Sequence, residues 1–339
     1  MALYSGMMYL YKRNNLVHIF IKMMILSVIF IFLTSCNRED KLEKEIAEIP
    51  VTIIIERFDK AFSKVDQKTL PALKQQYPFL FPEKYQDSFW IQKVADTLQI
   101  ELANQVAEKY PDLNTLKIKL EGLLQHAKYY FPEITEPRVI TITNDVDYHN
   151  KIILADDLLL IALDTYLGED HYFYESIQEY IRRNFKSDQI IPDVATVYAK
   201  QLVSLSKSRT FLSNLIYYGK VQYLIDLFLP KYEQYTKLGY SPEQLEWVRV
   251  NEEQIWRYFI DKETLYSTDT DLSPRFLYPA PFSKFYLEEI DKEAPDRVGR
   301  YIGWRIVSSY MENNNVSLRQ LLMMDAETIF NKSKYKPRN

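Results

Sequence analysis

Arg138-Val139-Ile140-Thr141-Ile142-Thr143 decides the fold class. The segment alternates and is β-branched, which is the pattern of a strand. Two short apolar runs follow it, residues 151–155 and 158–163, on either side of Asp156-Asp157. They read as strand, turn and strand, or as one buried strand with a bend. Outside this stretch the apolar periodicity is mostly helical. Over residues 87–110, Ile91, Val94, Ala95, Leu98, Leu102 and Val106 share one face, with Asp87 or Ser88 as cap and Pro111 as the stop. Leu113, Leu116, Leu120, Leu123, Leu124, Ala127 and Phe131 repeat the pattern before Pro132. Ser241-Pro242-Glu243-Gln244 is a capping box with proline at the first helical position, so a helix is expected from there to about Asp261. Ser317-Leu318-Arg319-Gln320 is a weaker copy. A few strands inside a helical chain predict one α+β domain over residues 46–339, predominantly α-helical with a small central sheet.

Composition narrows the function classes. The chain has 339 residues, 47% of them apolar and 26% charged, an ordinary globular balance. It holds only 7 Gly, so it lacks GxGxxG and GxxxxGK[ST], and with them a dinucleotide fingerprint and a P-loop. The net charge of -4 leaves no basic stripe, which argues against nucleic acid as a partner. A single Cys, Cys36, removes disulfides and a cysteine-based zinc site.

The position of that cysteine is informative. Residues 1–35 carry Lys12, Arg13 and Lys22 and no acid, and residues 23–33 form an apolar run broken only by Ser27. Such a run is too short to span a membrane, which takes about 20 residues, and has the length of a signal-peptide core. It ends in Leu33-Thr34-Ser35-Cys36, which resembles a bacterial lipobox. Residues 1–35 then read as a lipoprotein signal peptide and Cys36 as the lipidated residue. Acyl chains there would hold the mature N-terminus in a membrane. Residues 36–45 read as a charged tether.

Chemistry-bearing residues are scattered. His126, His149 and His171 are the histidines after Cys36, and no two stand at i, i+4, so HExxH is absent. His126 reads as a packed or half-exposed histidine, and His171 as part of a solvated loop. His149 lies in Asn144-Asp145-Val146-Asp147-Tyr148-His149-Asn150, whose alternating acids lack the glycine and terminal glutamate of a calcium loop. Glu252-Glu253 reads as a solvated edge. Asp164, closing an apolar run, is the best lone candidate for a buried functional acid, or a cap for the following turn. No catalytic residue, metal ligand or cofactor is called for. Gly299 and Gly303 sit one turn apart on one helix within the stretch Asp296 to Met311, where a neighbouring element can approach the backbone closely. Tyr218, Phe282, Phe285, Gly299, Gly303 and Trp304 are the candidates for a binding or packing surface.

The chain resembles the GldB family of gliding-motility lipoproteins. The residues that carry the resemblance are Leu33-Thr34-Ser35-Cys36, Glu56-Arg57-Phe58-Asp59, Tyr129-Tyr130-Phe131-Pro132-Glu133, Ala162-Leu163-Asp164-Thr165-Tyr166-Leu167-Gly168 and Tyr217-Tyr218-Gly219-Lys220. Asn251-Glu252-Glu253-Gln254-Ile255-Trp256-Arg257-Tyr258-Phe259 and Lys332-Ser333-Lys334-Tyr335-Lys336-Pro337 continue it. The resemblance implies a lipoprotein of the cell envelope, on the periplasmic face or the outer-membrane surface. Its partners would be the membrane, through Cys36, and other envelope proteins of gliding motility. A fainter resemblance links the order of strands, helix, aromatic-Gly turn and Gly-x-x-x-Gly-Trp to a family of predicted zinc peptidases. Here the helix reads Pro192-Asp193-Val194-Ala195-Thr196-Val197-Tyr198-Ala199-Lys200, without histidine. The expectation is therefore a degenerate zincin-like scaffold without the metal motif, and a non-catalytic protein. The alternatives are an envelope hydrolase and a glycan- or peptide-binding lipoprotein.

Overall fold

The computed structural model describes residues 41–337, so the signal segment and Leu33, Thr34, Ser35 and Cys36 lie outside the described residues. The chain divides into two units at Pro50. Of the first, the described part is a short helix over residues 41–47 and the turn that ends it. The second, Val51–Asn339, carries the remaining elements.

Four strands form one sheet: β1 (Ile55–Arg57), β2 (Arg138–Ile142), β3 (Ile152–Ala155) and β4 (Leu158–Ala162), in the order β1-β2-β4-β3. β1, β2 and β4 run parallel, and β3 closes one edge antiparallel to β4. The Asp156-Asp157 turn is therefore a hairpin, with Asp156 in the left-handed region at φ 50°. Sequence reading overlooked β1. It is three residues long, too short to show a period, and its pairing with β2 alone makes it a strand. Both faces of the sheet are covered. Val139, Leu159 and Ile161 enter one core, and Ile140, Ile142, Leu160 and Ala162 the opposite one. This explains why β4 reads as a continuous apolar run.

The longer helices, in chain order, are α1 (Asp87–Ala95), α2 (Thr97–Lys109), α3 (Asn114–Tyr130), α4 (Ile190–Leu202), α5 (Phe211–Phe228), α6 (Pro242–Val250), α7 (Glu252–Asp261), α8 (Val298–Asn313) and α9 (Ala326–Ser333). Two of these boundaries correct the sequence reading. The single helix expected over residues 87–110 is two, because Asp96 leaves the helical region (ψ 134°) and its carboxylate accepts from the backbone N–H groups of Leu98 and Gln99. An Asp N-cap contributes about 1 kcal/mol, enough to start a new helix where the periodicity runs on. Leu98 is exposed as a result. The helix opened by the Ser241 capping box is present as expected but stops at Val250, not Asp261. Asn251 breaks it, with its side-chain amide donating to the Trp247 carbonyl. The Ser317 capping box also forms and starts a helix over Leu318–Met323.

α5 holds the domain together. Its first half (Phe211, Leu212, Leu215, Ile216) packs into a core with α6–α9, and its second half (Val221, Leu224, Ile225, Phe228) into the core beneath the sheet. A helix apolar on all sides is what a buried central helix requires.

Candidate functional site

The residues singled out by the zinc-peptidase likeness and by the Gly-x-x-x-Gly pair lie on α4 and α8, each of which packs on α5, with β3 against α4. α4 carries Asp193 in its first turn. The Asp193 carboxylate takes the Lys151 ammonium, 2.6 Å away at the start of β3, and the Tyr166 hydroxyl at 2.8 Å on the same Oδ2. Tyr166 is fully buried, and burial followed by the charge of Asp193 raises its pKa well above the usual tyrosine range. The phenol therefore stays protonated and donates. Among the described residues no group of three or more His, Cys, Asp or Glu side chains is placed to hold a metal ion.

Across α5 lies the Gly-x-x-x-Gly helix. A Cβ placed on Gly303 would lie 2.0 Å from the Leu215 carbonyl oxygen, and one on Gly219 would lie 2.3 Å from the Gly303 carbonyl oxygen. α5 and α8 therefore touch backbone to backbone. Gly219 is the partner that the sequence reading did not pair with Gly303. Gly299 is closed over by Leu277 and the Phe276 carbonyl. Arg300 donates from Nε to the Leu277 carbonyl at 2.6 Å and lies over the Tyr218 ring at 4.3 Å. Arg297 donates to Asp296 at 2.9 Å, and Arg183 holds the other oxygen of the same carboxylate at 2.6 Å. Asp296 is fully buried, so two guanidinium groups share one desolvated acid. Lys200, at the end of α4, is exposed, and its charge is disfavoured by burial of its surroundings and by the positive charge of Arg300.

The remaining surface candidates divide. Trp304 is partly buried, donating from Nε1 to Asp226 Oδ2 at 2.5 Å, while Lys237 pairs with Oδ1 at 2.9 Å. Phe282 is exposed. Phe285 is not a surface residue: it is 4% exposed and packs edge-on against Tyr258 and Phe276. Pro281 and Pro279 mark a loop, but the backbone N–H of Phe285 is held by Asp291 and turns the ring inward.

Among the scattered candidates, Asp164 is fully buried. Its Oδ2 accepts from the N–H groups of Asn144 and Val146, at 3.0 and 2.9 Å, and fixes the left-handed loop at Asp145 and Val146. Burial pushes its pKa up to about 6. It is thus a buried acid, and it caps the loop after β2, not its own turn. Glu252 overturns the solvated-edge reading. It is fully buried and accepts from Tyr301 (2.9 Å), Tyr335 (2.8 Å) and Arg305 (3.2 Å), whereas Glu253 pairs with Arg257 on the surface. His171 is half-buried, not solvated, with Nε2 donating to Gln105 Oε1 and Nδ1 accepting from the Phe173 N–H. Burial lowers its pKa, which matches that neutral role. His126 Nδ1 meets the Gly122 carbonyl at 2.8 Å, and the His149 ring lies against Tyr148 at 4.3 Å. A cavity of about 370 Å³ lies beside the carboxyl ends of β1 and β2, lined among others by Asp59, Lys64, Asn104 and Thr143. Asp59 is locked there by Arg57 and by Thr141 at 2.6 Å.

Compared with known proteins, residues 39–337 match the family model described as gliding motility protein GldB. The chain belongs to the GldB family. No curated protein matches the chain, and no solved structure matches it. Membership ties the chain to gliding motility. The GldB match covers both the α4–β3 face and the α5–α8 crossing, so the ion pairs described above lie within the family's own region and not in an appended segment. Asp193, Lys151 and Arg300 gave little signal in the sequence. What marked them was only their place: Asp193 in the helix of the zinc-peptidase likeness, Lys151 at the head of an apolar run, and Arg300 inside the Gly-x-x-x-Gly run.

Proposed function

We propose that the chain is a lipid-anchored cell-envelope protein that serves gliding motility as a non-catalytic accessory or scaffold of the motility and secretion machinery. The observation that carries the non-catalytic reading is Asp193. On the helix that the zinc-peptidase likeness singles out, this acid is committed to Lys151 and Tyr166, both at hydrogen-bond distance, and among the described residues it belongs to no group of three or more His, Cys, Asp or Glu placed to hold a metal ion. The anchor rests on Leu33-Thr34-Ser35-Cys36 after its apolar run, and the family label, GldB_lipo, points the same way. Among the described residues no helix is long and apolar enough to cross a membrane. The zincin-like scaffold is supported by a mixed sheet with an antiparallel edge strand β3, a helix α4 beside it and α5 following.

Replacing Cys36 tests the anchor. Cys36→Ser is expected to move the protein from the membrane to the soluble fraction and to abolish gliding, while Lys68→Ala leaves both unchanged. A Cys36→Ser protein that stays in the membrane fraction and supports normal gliding overturns the reading. The non-catalytic role is tested by Asp193→Asn, expected to preserve gliding when the protein accumulates normally. Stoichiometric zinc in the purified protein, lost on substitution of His149 or His171, would instead establish the hydrolase alternative.

A further inference from the structure

The cavity beside the carboxyl ends of β1 and β2 measures about 370 Å³, room for a small organic molecule. It lies where open parallel sheets receive ligands, outside the carboxyl ends of the strands. Asp59 lines it just beyond β1, and Thr143 directly follows β2. α2 contributes Ile100, Ala103 and Ala107, and with Phe62 and Val94 they make most of the wall apolar. Ile100 is 49% exposed, so this wall is apolar surface that the fold leaves uncovered. The wall is also held in place. Gln99, another lining residue, donates to Asp145 Oδ1 at 2.7 Å, and Lys93 pairs with Oδ2 of the same carboxylate at 2.5 Å. These bonds tie α1 and α2 to the left-handed loop after β2, so the cavity is organised before any ligand arrives.

The charges on this lining do not balance. Asp59 is the one acid among the described residues that line it, and both its oxygens are taken. Arg57 reaches them through Nε and Nη2, at 2.9 and 2.6 Å, and Thr141 donates to Oδ1 at 2.6 Å. Against that neutralised pair stand two lysines. Lys60 donates to the Pro111 carbonyl at 2.8 Å, a neutral partner, and the Lys64 ammonium has no hydrogen bond or ion pair among the described residues. Asp66, two residues from Lys64, is engaged by the Thr69 hydroxyl and N–H, both at 2.8 Å. We propose that the cavity binds a small amphipathic anion, an apolar body carrying one carboxylate. The body is covered by Phe62, Ile100 and Ala103, and the carboxylate is met by Lys60 and Lys64. Asn104 and Thr143, whose side chains make no hydrogen bond among the described residues, add neutral donors. A cation would meet two ammonium groups, and inorganic phosphate has no apolar body to bury against the wall. This inference does not depend on the anchor or on the scaffold role.

The test is titration calorimetry on the purified full chain in detergent, with each heat corrected by injection into the same detergent without protein. The probes are octanoate and 2-naphthoate, each compared with its neutral amide. Saturable binding of at least one carboxylate, about tenfold tighter than its amide, is expected. The arm that saturates tells an aliphatic body from an aromatic one. Ala103→Phe fills the cavity with a ring and should abolish saturation. Lys64→Met should weaken binding about threefold, with Lys68→Met unchanged. Lys64 is exposed, so its variant keeps the experiment decisive should Ala103→Phe fail to fold. Failure of both carboxylates to saturate overturns the proposal. So does an amide that binds as tightly as its carboxylate, or wild-type affinity in a folded Ala103→Phe or in Lys64→Met.

Discussion

Glu252 shows how one residue is placed by groups far along the chain. Its sequence neighbours suggested a charged helix edge. Instead the break at Asn251 turns its side chain inward, where Tyr301, Arg305 and Tyr335 arrive from α8 and from the segment after α9. None of these is readable from local periodicity, since the partners lie 49 to 83 positions away. Glu252→Ala strands a partly buried guanidinium and two hydroxyls, and should cost about 3–5 kcal/mol in urea unfolding, with Glu252→Gln costing less. Asp164 is the opposite case, because its apolar run did mark it as a buried acid. Its folded pKa of about 6 lies above the usual 3.8, so the folded state binds its proton more tightly than the unfolded chain. Its contribution is fully present below about pH 4 and is lost as pH rises towards 6. Asp164→Asn removes this titration while keeping an acceptor for Asn144 and Val146. The variant should gain on the wild type by about 1–3 kcal/mol between pH 4 and pH 6.5, read from denaturation midpoints. A constant difference across that window would show that the carboxyl does not titrate there.

At the scale of elements, local chemistry was legible where the signal is intrinsic to a few residues. Both capping boxes form as their sequences demand, because a Ser hydroxyl and a Gln amide need only their own first turn. The Gly299–Gly303 spacing likewise announced a close approach. What approaches Gly303 is α5, with Gly219 as the matching gap, while Phe276 and Leu277 close over Gly299, and only the fold supplies either partner. The contrast between glycines gives a direct test. Gly303→Ala puts a methyl 2.0 Å from the Leu215 carbonyl and should cost about 3 kcal/mol, lowering the thermal midpoint by several degrees. Gly122, in the interior of α3, has nothing within 4 Å of an added Cβ, so Gly122→Ala should stabilise by about 0.5–1 kcal/mol. Helix breaks were less legible. At Asp96 the apolar spacing continues across the cap, and only the competition between a capped N-terminus and one more helical turn decides the outcome.

For the Val51–Asn339 unit as a whole, α5 is shared between two cores, so neither core can melt and leave the other intact. Trp90 reports the core on the far face of the sheet, and Trp247, Trp256 and Trp304 the core of α6–α9. Denaturation followed by far-UV circular dichroism, by fluorescence of a variant retaining only Trp90, and by fluorescence of Trp90→Phe should give one coincident transition. Separate midpoints would show that the far-face core and the α6–α9 core do not unfold as one unit. The mostly helical α+β class was open to sequence reading, because strands and helices differ in period. The mixed sheet was not, because its order depends on β1, whose three residues pair with a strand more than eighty positions later. That separation has a kinetic meaning. The β3–β4 hairpin closes over two residues and can form at once, whereas β1 must wait until the long chain between it and β2 has been gathered in. β1 is thus expected to be the last strand to dock and, as a three-residue edge, the first to exchange its amide protons. In a protein held at its N-terminus, β1 would also be the first strand of the domain to feel a pull on the anchor, making it a natural place for strain to be released before the core yields.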